Sequence, residues 1–80
     1  MPMAAYPQID FGSRLIALRT VGIALGVTGS LLPDNRASNS GRTYLRFINN
    51  IRVAKALPAL PGLDYSGFLK ALNDLVALVP

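Results

Sequence analysis

The sequence predicts an all-α chain. Three observations carry that prediction. An apolar run, Leu15 to Leu32, stops at Pro33; two later segments repeat apolar residues three and four apart; no strand-like alternation reaches useful length.

Residues 1–13 read as an extended N-terminal arm, because Pro2, Pro7 and Gly12 interrupt any helical period. Ser13 can cap the first helix. Residues 14–33 then read as one hydrophobic helix, expected to be transmembrane. Its apolar part would be about 27 Å long at about 1.5 Å per residue, close to the ~30 Å hydrocarbon core of a bilayer. Arg19 is the one misfit, and its long stem can reach back to the interface.

Gly22, Gly26 and Gly29 lie four and three apart in this run, so one helix face would carry them with Arg19 and Ser30 beside them. In water each mid-helix glycine costs about 1 kcal/mol against alanine. Close helix packing inside a membrane would offset that cost, and the segment Gly22–Gly26 has the small-xxx-small spacing such contacts use. These five residues are the expected helix-packing surface. The alternatives are a buried helix of a bundle in water, a loop that is not helical at all, and a cleaved signal segment, which lacks a clear small-x-small cleavage site.

Residues 34–43, rich in Asn, Ser and Gly, form a polar loop. Residues 44–80 are expected to make an amphipathic helical hairpin. In its first helix Tyr44, Phe47, Ile48, Ile51 and Ala54 share one face, while Arg42, Arg46, Asn49 and Asn50 share the other. Pro58 and Pro61 break that helix. Asp64 or Ser66 can cap the last one, where Tyr65, Phe68, Leu69, Leu72, Leu75, Val76 and Val79 line up as one stripe. That stripe is expected to dock on a partner chain or on the preceding helix. Lys70 and Asp74 can pair on the polar side.

Charge is unevenly placed. Arg36, Arg42, Arg46, Arg52 and Lys55 hold five of the eight cations with no acid among them. This set is the expected contact for an anionic surface, whether lipid headgroups, nucleic acid or an acidic protein face. Lys55 also begins a basic-x-x-Pro-x-x-Pro pattern of the kind that aromatic grooves bind. The pattern is common by chance, and a rigid interhelical linker is its expected role.

The residue inventory points away from catalysis. The chain has no His, Cys, Glu or Trp, and its four acids, Asp10, Asp34, Asp64 and Asp74, stand far apart in sequence. No nucleophile–base pair, metal site, cofactor or small-molecule substrate is expected. Yet 51% of the 80 residues are hydrophobic, more apolar material than so small a fold usually needs. The expected role is a small non-catalytic accessory subunit of a larger membrane complex, with protein subunits and membrane lipid as partners, in an energy-converting inner membrane of a bacterium or organelle. The alternatives are a basic structural component of a virion or nucleoprotein particle, bound to nucleic acid, and a soluble helical adaptor.

Overall fold

The apolar run does not continue as one helix. The computed structural model describes residues 11–34 and 41–80, and its first helix, α1, spans Phe11–Ala24. At that end Gly26 takes φ +86°. The Val27 N–H donates to the Gly22 carbonyl at 2.9 Å and the Gly26 N–H to the Ile23 carbonyl at 3.0 Å. This pair of bonds around a left-handed residue is a Schellman terminator, which satisfies carbonyls a helix end would otherwise leave open. Gly29, at φ +71°, then opens a 3-10 turn over Gly29–Leu31.

The helix expected over 14–33 is thereby corrected. Gly26 and Gly29 do not share a helix face; Gly26 ends the helix and Gly29 starts the turn beyond it. At 14 residues α1 is about 21 Å long. No helix among the described residues is long and apolar enough to cross a membrane. The start also differs: α1 begins at Phe11, so Ser13 stands in its first turn and the arm loses residues 11–13.

Beyond the 3-10 turn the chain folds back along α1. Arg19 donates from Nη1 to the Pro33 carbonyl at 2.9 Å, and Leu32 is buried. Gly22 makes the return possible. A Cβ there would run into Leu32 Cδ2 and come within 3.0 Å of Ile51 Cδ1. Of the three glycines, Gly22 does serve close packing, and its neighbours belong to the same chain.

The second helix, α2, spans Gly41–Ala54 and so takes in residues 41–43 of the expected polar loop. Residues 35–40, with Arg36, lie outside the described residues. A second Schellman motif ends α2. Leu57 N–H donates to the Arg52 carbonyl at 2.8 Å and Ala56 N–H to the Val53 carbonyl at 3.0 Å, with Ala56 at φ 63°. The third helix, α3, spans Tyr65–Val76. Asp64 caps it, accepting the Gly67 N–H at 2.8 Å.

Each helix packs on the other two. Leu15, Leu18 and Val21 of α1 meet Tyr44, Phe47, Ile48 and Ile51 of α2 and Phe68, Ala71, Leu72 and Leu75 of α3; Leu25, Val27 and Leu32 close the end. Burying one such large side chain contributes about 1.5–3 kcal/mol, so a few of them outweigh the helical cost of Gly22. Arg14 is also wholly buried, with its guanidinium carbon 5.9 Å from the Tyr44 ring centre. Tyr44 in turn meets Phe68 at 5.1 Å and 55°. One side chain from each helix is thus joined by cation–π and tilted aromatic contacts.

The α3 stripe is therefore used inside the chain. Phe68, Leu72 and Leu75 are buried against α1 and α2, Val76 and Val79 pack beside them, and Leu69 is half-buried. The Tyr65 side chain lies outside the described residues. Ala71 joins the core as well, while Ala54, placed by the helical wheel on the apolar face of α2, is exposed at the helix end.

Candidate functional site on the outer face of α2

The polar side of α2 has two parts with different duties. One part holds the connecting segments in place. Arg52, 8% exposed, donates from Nε to the Pro58 carbonyl at 2.9 Å. Asn49 donates from Nδ2 to the Leu60 carbonyl at 2.9 Å and accepts the Leu60 N–H at 2.8 Å. Asn50 reaches the Leu31 carbonyl at 3.3 Å, and Lys55 Nζ reaches the Leu25 carbonyl at 3.5 Å.

A simple imbalance explains these bonds. Prolines carry a carbonyl but no N–H, so segments with Pro33, Pro58 and Pro61 present surplus acceptors. Arg and Lys side chains only donate. With few acids in the chain, its cations pair instead with loop and helix-end carbonyls. Arg19, Arg52 and Lys55 all do this.

The proline linker is held the same way. Leu57, Leu60 and Leu63, three apart, pack against the core, while Pro58, Ala59, Pro61 and Gly62 are exposed. A groove that reads Leu-Pro pairs needs both residues of each pair. Leu57 and Leu60 are turned to the core of this chain, which favours the rigid-linker expectation.

The other part of the face is open. Arg42 and Arg46 are exposed on α2, and the Arg46 guanidinium carbon lies 4.6 Å from the Phe47 ring centre. Farther along, Leu31, Asn49, Asn50, Val53 and Ala54 line a shallow groove of about 280 Å³. Val53 is 60% exposed and Leu31 42%. Ser30 is exposed in the 3-10 turn next to this groove.

The structure thus divides the expected anionic contact set. Arg42 and Arg46 stand together on the outer face of α2, Arg52 is buried under the linker, and Lys55 turns to the end of α1. The helix-packing set divides too: Gly22 and Arg19 are engaged within the chain, while Gly26, Gly29 and Ser30 lie beyond α1.

Comparison with protein-family models, with curated proteins and with solved structures finds no match. The site is therefore read from its own chemistry. The groove itself is absent from the sequence prediction, although one signal for it was present. Val53 follows Arg42, Arg46 and Asn49 on the polar side of the helical wheel, a large apolar residue where a solvated face wants a polar one. Nothing in the sequence signals Leu31, which reaches the groove only because the chain turns back after Gly26.

Proposed function

We propose that this chain is a small non-catalytic accessory subunit that works by docking on partner protein chains. One observation carries the reading. The three helices satisfy their main apolar faces among themselves, yet Ile16 at 67%, Ile23 at 54% and Val53 at 60% remain exposed on α1 and α2. Ile16 and Ile23 are seven residues apart, so both lie on the outer side of α1, with the exposed Arg19 and Thr20 between them. Several large apolar side chains left outside a closed core favour a surface that a partner protein covers. The lack of His, Cys and Glu supports the non-catalytic part.

The bilayer-packing role expected for the glycine run is not part of this reading, since α1 buries its inner face against α2 and α3. A nucleic-acid role draws less support than the basic stretch promises, because Arg52 and Lys55 already donate to carbonyls.

The test is isolation of the epitope-tagged chain from its native host at native abundance. The reading expects a defined complex holding the chain in fixed ratio to one or more proteins. Recovery as a free 8.5 kDa monomer would sink it. Carbonate extraction of the same cells shows whether that complex is integral to a membrane.

A further inference from the structure

We infer that the groove between α2 and the 3-10 turn binds an acidic amphipathic helix of a partner protein, seating apolar side chains against Leu31 and Val53 and acidic ones against Arg46 and Arg42. The inference rests on the interaction-subunit reading and gives it a place and a partner chemistry.

The geometry supplies both halves of the recognition. At the groove, Leu31, Val53 and Ala54 present apolar surface, and the amides of Asn49 and Asn50 are already bonded to Leu60 and Leu31. The Asn49 amide is thus used at both ends and Asn50 through its Nδ2, and the rest of the lining is largely apolar. On the same face Arg46 precedes Val53 by seven residues, about 10 Å along the helix axis, and Arg42 lies one turn further. No acid occurs between Asp34 and Asp64, so nothing on α2 offsets this charge. A helix of three turns laid along α2 would span from Val53 to Arg42. Two apolar residues four apart would face Leu31 and Val53, and acids at the other end would meet the arginines.

Charge complementarity selects an acidic partner, and the apolar groove selects a protein over a nucleic acid. A polynucleotide gains most from many free cations and exposed aromatic rings. Among the described residues Tyr44, Phe47 and Phe68 are buried, and Arg42 and Arg46 share the outer face of α2 with the aliphatic Val53. The Arg46 guanidinium carbon, 4.6 Å from the Phe47 ring centre, remains exposed, and a guanidinium can take a carboxylate in bidentate fashion.

The test selects binders from a displayed library of random 14-residue peptides on the immobilised full chain. The enriched sequences are then measured as synthetic peptides by fluorescence anisotropy. The inference expects acids together with two large apolar residues four apart. Val53→Asp and Arg46→Glu should each weaken binding by about tenfold or more. Both positions are exposed, and circular dichroism checks that the variants stay folded. If Val53→Asp does not fold, Val53→Ser takes its place. Arg46→Glu should in turn bind better when the peptide acids are changed to lysine. Peptides that bind Val53→Asp as tightly as the parent overturn the groove, while leaving the interaction-subunit reading standing. Enrichment without acids, or no enrichment, also overturns the inference. So does tighter, salt-sensitive binding of a 14-nucleotide oligothymidine than of any selected peptide.

Discussion

The side-chain amide of Asn49 pairs with the backbone of Leu60 in both directions, giving its Nδ2–H to the carbonyl at 2.9 Å and taking the N–H at 2.8 Å. One side chain thus does for the linker what a neighbouring strand does in a sheet. It holds Leu60 against the core between two prolines that cannot donate.

Asn49→Ala leaves both backbone groups of Leu60 without their protein partner. At about 1 kcal/mol net for each bond, the variant should lose about 2 kcal/mol in urea denaturation. The Leu60 amide should exchange with solvent much faster, while amides in the middle of α1 change only with global stability. An unchanged Leu60 exchange rate would show that the linker is held by its leucines alone.

Ala56 sits in the left-handed region at φ 63°, where a Cβ costs roughly 1–2 kcal/mol. Ala56→Gly should therefore stabilise the protein by about 1 kcal/mol, raising Tm by about 5 °C for a domain this small. Ala56→Val should lower it. A glycine variant that melts at or below the parent temperature would mean that α2 does not end in this motif.

Much of the fold was legible because it follows local rules. The spacing of Tyr44, Phe47, Ile48 and Ile51 gives the inner face of α2, and that of Phe68, Leu72 and Leu75 gives the inner face of α3. Asp64 and Ser66 both read as caps before the last apolar run, and the bond from the Gly67 N–H decides for Asp64. What was not legible depends on the chain meeting itself. Glycines at three- and four-residue spacing look alike whether they line a helix or end it, and only the bonds from Val27 and Gly26 decide. Ile16 and Ile23 put large apolar residues on the outer side of α1 as well, which imitates a lipid-facing helix. The pairings of Asn49 with Leu60, of Arg52 with Pro58 and of Arg19 with Pro33 obey no period at all. So Arg52 and Lys55 of the basic stretch looked free when they were already in use.

Gly22 is required by contact and not by backbone conformation. Gly22→Val adds atoms where Leu32 and Ile51 already sit, and overpacking of this kind costs about 1–3 kcal/mol. The same change in a Leu32→Ala background should cost clearly less, because the colliding methyl group is gone. A double-mutant cycle in urea reads the coupling. Strict additivity would place Leu32 away from Gly22.

The central claim is that Gly26 ends α1 and turns the chain back on itself, and the sign of one substitution tests it. A Cβ at Gly26 meets nothing within 4 Å, so only the backbone at φ +86° decides the outcome. Gly26→Ala should destabilise the chain by about 1 kcal/mol, and D-alanine at the same position, introduced by chemical synthesis, should stabilise it by several tenths of a kcal/mol or more. If L-alanine instead stabilised the chain by about 1 kcal/mol and D-alanine destabilised it, Gly26 would lie inside a continuous helix and this fold would be contradicted.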